Sequence, residues 1–225
     1  MRREFVPQES LPGRLAAFDT VSSVNGSSGR NGAHSAEKPA DRAFTIWLTG
    51  LPSSGKSTLA EHLERRFRAV GSKVEVLDAD VVRSHLSRDL GFSKKDRDEN
   101  VFRIGVVCEL LSRNGVVAIA AAVSPYRAAR EEQRRRIPDF VEVHVDCSLD
   151  VLIERDPKGL YRRALAGEIA NFTGISDPYE PPLHPEVRID SAAETPEQSL
   201  EKIWSKLEEL KLVPCDGSRC ELVAE

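Results

Sequence analysis

The sequence has few cysteines and no long apolar segment. Four cysteines in 225 residues are too few for a disulfide-built scaffold, so we expect a reducing, cytoplasmic compartment. Two of them, Cys108 and Cys147, lie within apolar patterns typical of a core. The longest uninterrupted apolar run, residues 116–123, is far shorter than the roughly 20 residues of a membrane-spanning helix. The first residues also lack the apolar stretch of a secretory signal.

Charge of one sign is not in excess either. The chain has 32 Lys and Arg against 36 Asp and Glu, for a formal net charge of −4. This balance provides no general attraction to nucleic acid or to a membrane surface, so we expect neither as a partner. Hydrophobic residues make up 40% of the chain, which is enough for a core and excludes a wholly disordered protein. The five histidines match no metal-ligand spacing.

Both ends of the chain differ from its middle. Residues 22–32 are a small, polar run without periodicity, and we expect residues 1–43 to form a flexible N-terminal extension. Partner binding by this extension is the alternative. Residues 44–212 form the expected folded domain and residues 213–225 a C-terminal tail. The tail contains Cys215 and Cys220, for which a redox or metal role is the less favoured interpretation because partner ligands are lacking.

Strand and helix patterns alternate through the folded part. We predict strands at 44–49, 74–77, 116–123, 140–145 and 187–190. We predict helices at 56–70, 98–113, 125–136 and 149–155, and a last one opening at 195–198. The basic residues of 127–136 are expected to form a solvated helix face. This βαβα succession favours an α/β fold with a mostly parallel sheet and helices on both faces.

The first strand is followed by a glycine-rich turn that fits the phosphate-loop pattern without a gap. Gly50 and Gly55 allow backbone N–H groups to surround a phosphate, and the helix beginning near Lys56 points its positive end at the anion. Lys56 can place a charge on the β- and γ-phosphates, and Ser57 can ligate magnesium. The alternative is a Gly-Ser surface turn. The motif predicts a three-layer P-loop NTPase-type sandwich, with an ATP-binding segment comprising Gly50, Leu51, Pro52, Ser53, Ser54, Gly55, Lys56, Ser57 and Thr58.

Two aspartates end the second strand, on the same sheet edge as the phosphate loop. Asp78 and Asp80 are two residues apart, so in an extended chain they point to the same side. One could hold magnesium through water while the other accepts a hydroxyl proton. The alternative is a helix cap and a solvated carboxylate.

The sequence resembles the adenylylsulfate kinase family over residues 44–210. The matching segments are 50–58, 77–80 with Arg83, 88–93, 96–100, 124–127, 156–161, 172–175 and 178–180. Members of this family transfer the γ-phosphate of ATP to the 3′-hydroxyl of adenosine 5′-phosphosulfate (APS), giving 3′-phosphoadenosine 5′-phosphosulfate (PAPS) and ADP. The resemblance implies ATP and Mg²⁺ as cofactors, a role in sulfate activation and a homodimer.

The resemblance also implies roles for individual residues. Lys56, Asp80 and Ser124 would be catalytic, and Ser57 and Asp80 would hold the metal. Phe92 and Phe172 would sandwich the adenine of APS, with ordinary core aromatics as the plainer alternative, and Lys158 would lie in a mobile lid. Ser124 could shape the acceptor pocket or carry phosphate as phosphoserine, and we favour the first. The APS-binding residues would be Asp78, Asp80, Arg83, Phe92, Arg97, Asn100, Val123, Ser124, Lys158, Asn171 and Phe172. Simple pairing of Arg97 with Asp96 or Asp98 is the plainer alternative for that arginine.

The sequence departs from the family pattern near the acceptor site. Ala79 replaces a common glycine, Phe102 stands where an arginine is common, and Ala122 and Val123 are smaller than usual. These changes leave two alternatives: a related kinase with a different hydroxyl acceptor, or a catalytically silent module that senses nucleotides. The second would predict loss of Lys56 or its neighbours, which are present.

Overall fold

The computed structural model describes residues 43–214. The proposed extension, apart from residue 43, and the two tail cysteines therefore lie outside the described residues. The predicted start of the tail is wrong by about one residue, because Val213 is buried in the main core. No helix within residues 43–214 is both long and apolar enough to cross a membrane.

Five parallel strands form one sheet, in the order β2-β3-β1-β4-β5. The strands are β1 (Thr45–Thr49), β2 (Val74–Asp78), β3 (Val117–Ala121), β4 (Phe140–Asp146) and β5 (Val187–Asp190). The helices are α1 (Lys56–Ala69), α2 (Ala79–His85), α3 (Lys94–Arg113), α4 (Arg127–Arg136), α5 (Leu149–Arg155), α6 (Leu160–Leu165) and α7 (Pro196–Glu209).

The central strand packs against a different core on each face of the sheet. Ile46 and Leu48 of β1 lie in a cluster with apolar residues of α1 and α7, whereas Trp47 lies in a second cluster with residues of α3. This alternation follows from the period of two in a strand. A strand buried on both faces is predominantly apolar, and β1 has Ile46, Trp47 and Leu48 between two buried threonines. The predicted three-layer α/β fold is confirmed.

The structure contains two short helices that periodicity did not predict, α2 and α6, and α3 begins earlier than expected. The apolar spacing of α3 becomes visible only from Val101, because the first two turns of the helix are polar. Ser93 caps this helix, and its hydroxyl accepts the N–H of Asp96 at 3.2 Å. The missed residues, 94–97, include Arg97 of the candidate site. Asn100 follows within the predicted part of the helix.

Helix α4 is not the solvated basic face that its sequence suggested. Arg130 is fully buried and donates to Glu142 at 2.7 Å, and Arg134 donates to Glu186 at 2.6 Å. Arg136 pairs with Glu109 of α3 at 2.9 Å. The acidic partners lie far away in sequence, so local charge patterning could not show that these arginines point inward.

Candidate active site

The phosphate loop connects β1 to α1 and lies tightly against β4. A Cβ atom at Gly50 would lie 2.3 Å from the carbonyl oxygen of Val145, so only glycine allows this approach. Gly55 has φ 97° and is the N-cap of α1. Tyr161 of α6 supports the loop from outside, because its hydroxyl donates to the carbonyl of Pro52 at 2.8 Å. The backbone at the start of α1 is thereby held open toward the sheet edge, as an anion site requires.

Lys56 folds back over this loop. Its ammonium group donates to the carbonyls of Gly50 at 3.0 Å and Leu51 at 2.6 Å, and to the hydroxyl of Ser54 at 3.3 Å. The residue is only 8% exposed. Burial lowers the pKa of Lys56 to about 8, although the nearby carboxylates of Asp78 and Asp80 act in the opposite direction. The loop thus carries a poorly hydrated cation that an incoming phosphate would stabilise.

The two aspartates at the end of β2 do not share one side of an extended chain. Asp78 is the last residue of the strand, and the backbone becomes helical at Ala79. Asp78 is the N-cap of α2, and its carboxylate accepts the N–H of Asp80 at 2.8 Å. Its other oxygen accepts the hydroxyl of Ser57 at 2.6 Å. The structure therefore places Asp78 beside Ser57 of the phosphate loop. The same carboxylate also caps α2, so the helix-cap alternative is correct for Asp78.

Asp80 instead faces the segment between α5 and α6. Its carboxylate pairs with the ammonium of Lys158 at 2.8 Å, and both side chains are exposed. The hydrogen bond from Lys158 to Asp80 raises the pKa of Lys158. An exposed pair of this kind contributes little to stability, so it can be exchanged for contacts with a ligand.

The residues expected to bind the acceptor form a connected cluster around Phe92. This ring is 57% exposed, and the guanidinium groups of Arg83 and Arg97 lie 4.6 Å and 5.6 Å from its centroid. Arg97 donates to the carbonyls of Phe92 at 3.0 Å and of Asn171. It also pairs with Asp177 at 3.5 Å, so the simple pairing of Arg97 with its sequence neighbours is wrong.

Phe172 occupies a different environment from Phe92. It is only 7% exposed and packs edge-on against Tyr161, with the ring centroids 5.1 Å apart. Its immediate neighbour Asn171 is exposed, with φ 55° in the left-handed region. Phe172 is thus a core aromatic at the border of the cluster, whereas the Phe92 ring is largely exposed.

Ser124 lies in the middle of the segment that connects β3 to α4. It has φ 40°, it is 2% exposed, and its hydroxyl accepts the indole N–H of Trp47 at 3.0 Å. The same hydroxyl donates to Thr49 at 3.1 Å. This hydroxyl is enclosed by protein groups, which favours a role in shaping the pocket over one in carrying phosphate. Val123 is half-buried beside it.

Asn100 is also enclosed. It is a buried residue of α3, and its Oδ1 makes no hydrogen bond within residues 43–214. Phe102, two residues further along, packs beneath the guanidinium of Arg136 at 4.7 Å and lines a groove of about 860 Å³ beside α4. This departure from the family pattern is thus accommodated on the side of α3 that faces α4.

Sequence reasoning missed several residues that hold the cluster together. Asp177 accepts the hydroxyl of Tyr126 at 2.8 Å while it pairs with Arg97. Burial and the Asp177 carboxylate raise the pKa of Tyr126 to about 12, so the hydroxyl keeps its proton and donates. Tyr179 approaches Thr49 at 3.1 Å. The signal for the two tyrosines was that the segments 124–127 and 178–180 match the family pattern, whereas Asp177 lies outside every matching segment.

A cavity of about 270 Å³ lies beside the phosphate loop, on the side of α7. It is lined by Ser54, Gly55, Thr58, Leu59, Arg155, Ser191, Glu194, Pro196 and Ser199. The phosphate loop therefore has an open cavity beside it.

Comparison with known proteins gives the family. The sequence model of the family "Adenylylsulphate kinase" matches residues 42–190. The chain belongs to this family. An adenylyl-sulfate kinase of Microcystis aeruginosa is 56% identical over 169 residues, covering 75% of this chain and 93% of that protein.

Two further relatives extend the comparison. A probable bifunctional SAT/APS kinase of Sorangium cellulosum is 58% identical over 175 residues, which are 78% of this chain but 30% of that protein. The chain thus spans less than a third of the bifunctional relative. The structure of the Mycobacterium tuberculosis APS kinase in complex with AMPPNP and APS has a TM-score of 0.71 and 40% identity, covering 74% of this chain and 98% of that one. Within this kinase family, the loop at 50–58 is the expected nucleotide site.

Proposed function

We propose that this protein transfers the γ-phosphate of ATP to the 3′-hydroxyl of APS, giving PAPS and ADP. The observation that carries the proposal is the pairing of two sites. A phosphate loop with a buried lysine adjoins Asp78 and Asp80, and a separate cluster presents a largely exposed aromatic ring flanked by two guanidinium groups. The first suits a polyphosphate, and the second suits a planar base bearing an anionic group.

In this proposal the phosphates of ATP lie in the loop at the start of α1. Lys56 exchanges its carbonyl partners for phosphate oxygens, which suits its poorly solvated charge. The cavity of about 270 Å³ beside Thr58 and Pro196 would receive the nucleoside of ATP. Catalysis then depends mainly on positioning and on charge neutralisation.

The donor set suits Mg²⁺, a hard cation that prefers oxygen ligands. Ser57 and Asp78 bring a hydroxyl and a carboxylate oxygen to 2.6 Å from each other. No group of three His, Cys, Asp or Glu side chains suited to a metal ion occurs within residues 43–214. Mg²⁺ commonly uses one or two carboxylates together with substrate phosphates. The proposed metal residues are thus Ser57 and Asp78, with Asp80 nearby. Bound Mg²⁺ would neutralise charge on the β- and γ-phosphates.

The acceptor would lie against the Phe92 cluster. Its adenine would stack on the exposed ring of Phe92, and Arg83 and Arg97, which flank that ring, would turn toward the phosphosulfate. Asp80 would receive the proton of the attacking hydroxyl or orient that hydroxyl, and Lys158 would move from Asp80 to the ligand. Asn100, Val123, Ser124, Asn171 and Phe172 would line or support the pocket. We also propose that the protein forms a homodimer and that it is located in the cytoplasm.

The test measures PAPS formation by chromatography of reaction mixtures that contain purified protein, ATP, Mg²⁺ and APS. A panel of other hydroxyl acceptors is tested in parallel. We expect conversion of APS to its 3′-phosphorylated product and at least about a 100-fold loss of rate in Lys56→Ala. Transfer to another acceptor, with none to APS, would overturn the substrate assignment and leave the kinase assignment standing. ATP binding without transfer to any acceptor would favour a sensing module.

A further inference from the structure

One buried arginine joins the segments that surround the acceptor cluster. Arg130 of α4 is 2% exposed, and its guanidinium donates in three directions. Nε donates to Glu142 Oε1 at 2.7 Å, Nη1 to the carbonyl of Ser124 at 2.6 Å, and Nη2 to the carbonyl of Glu180 at 2.6 Å. The two carbonyls belong to separate segments that are 56 positions apart, as the numbering shows.

Both segments lead directly to residues of the candidate acceptor site. Ser124 is itself one of them, and its φ of 40° is a conformation that a residue with a side chain adopts only when its surroundings hold it. Glu180 follows Asp177, which pairs with Arg97 at 3.5 Å, and Arg97 in turn flanks Phe92. The guanidinium of Arg130 therefore connects the Ser124 turn to the chain that orients the Arg97 side chain.

Other contacts also join the same two segments. The N–H of Glu180 donates to the carbonyl of Pro125 at 2.8 Å, and its carboxylate accepts the N–H of Arg127 at 2.8 Å. Arg130 differs because it is buried and because a single planar group reaches both segments. A guanidinium presents its N–H donors in a rigid fork, which fixes its acceptors relative to one another.

The charge of Arg130 is balanced locally. Glu142 lies beneath it on β4, and Arg134 also donates to Glu142 at 3.2 Å while it pairs with Glu186. The ring of Tyr179 packs 5.8 Å from the guanidinium. Removing Arg130 alone would leave the Glu142 carboxylate with Arg134 as its remaining cationic partner, whereas removing both members of the pair leaves no uncompensated buried charge.

We propose that Arg130 is a positioning residue for the acceptor. It holds the Ser124 turn and the segment 177–180 in the relative placement that gives the acceptor pocket its shape, and it does not touch the acceptor itself. This inference rests on the proposed function, because that function assigns the pocket its ligand. Arg130 has no contact with Lys56 or Ser57, so binding of ATP should be independent of it.

The test variant is the double substitution Arg130→Met with Glu142→Leu, which replaces the buried pair by apolar side chains of similar size. We expect the KM for APS to rise at least about tenfold, while the KM for ATP stays within about twofold of the wild-type value. Arg134→Met is the matched control, because it removes an arginine from the same ionic network and leaves both carbonyl contacts of Arg130 intact. Its KM for APS should match that of the wild type.

A second variant, Arg130→Lys, covers the case in which the double variant does not fold. The lysine keeps the charge opposite Glu142 but cannot present a rigid fork to both carbonyls, so the KM for APS should rise here too. An unchanged KM for APS in a folded variant, or an equal rise in both KM values, would overturn the inference. If the wild-type protein does not act on APS, the proposed function fails, and the same comparison is made with the acceptor that reacts in the panel.

Discussion

Because the ammonium group of Lys56 is buried, we predict that it lowers the free energy of unfolding at neutral pH and does so less as the pH rises. Replacing Lys56 by an uncharged residue should remove this pH dependence. Burial lowers the pKa of this lysine from the ordinary 10.5 to about 8 in the ligand-free protein. Between these two values the unfolded chain binds more protons than the folded chain, so stability rises with pH. From the two pKa values, Lys56 disfavours folding by about 3 kcal/mol at neutral pH and by about 1 kcal/mol at pH 9.5.

The assay is denaturant unfolding of the wild type and of Lys56→Met over this pH range, without nucleotide. Other titrating groups are common to both proteins and cancel in the difference between their free energies of unfolding. That difference should shift in favour of the wild type by about 2 kcal/mol between pH 7 and pH 9.5. Lys73→Met, at an exposed position, controls for the loss of one positive charge.

The pH dependence, and not the absolute difference, is the decisive quantity. Lys56 also donates three hydrogen bonds within the loop, and their loss offsets part of the gain from removing a buried charge. A difference that stays constant within about 0.5 kcal/mol across the range would show that the ammonium is well solvated in the folded state. The reasoning from burial would then be refuted, together with the role of this charge as a preformed phosphate partner.

Three further predictions concern other parts of the structure. Asp78→Asn keeps a good helix cap, so stability should change by less than about 0.5 kcal/mol while turnover falls about 100-fold; a large loss of stability would contradict this separation. In denaturant titrations, Phe172→Ala should cost about 3–4 kcal/mol and exposed Phe92→Ala almost nothing, although the latter should raise the KM for the acceptor about tenfold; equal unfolding costs would refute the assigned environments. Gly105→Ala would place a Cβ 1.8 Å from Gln133 Oε1 and should cost about 1–3 kcal/mol in unfolding experiments, a cost that Gln133→Ala should largely relieve; additive effects would contradict the clash.

The phosphate loop and the fold class were predictable from the sequence because their determinants are local. The loop residues follow one another directly, and Lys56 reaches back only to Gly50 and Leu51. The strands are short and mostly apolar, and β3 is apolar throughout because both faces of the sheet are covered. Periodicity failed where amphipathic spacing is absent, as in α2 and in the polar start of α3.

The residues of the candidate acceptor site could be named through the resemblance, but their partners could not. Asp78 and Asp80 were expected to act as a pair on one side of a strand. In the structure the backbone turns into α2 between them, so Asp78 meets Ser57 and Asp80 meets Lys158. Which carboxylate faces the phosphate loop depends on this single change of backbone conformation, and no sequence spacing encodes it.

By itself, the sequence determined the α/β alternation, the phosphate loop and its lysine, and the family to which the chain belongs. Each rests on neighbouring residues or on an ordered set of motifs. Only the tertiary structure decided that three arginines of α4 pair with acidic residues outside the helix, that Arg97 pairs with Asp177, and that Arg130 joins two distant segments. Their partners are far away in sequence. A sequence pattern does not distinguish a charged side chain on a solvated face from one in a buried ion pair, because only folding brings the partner close.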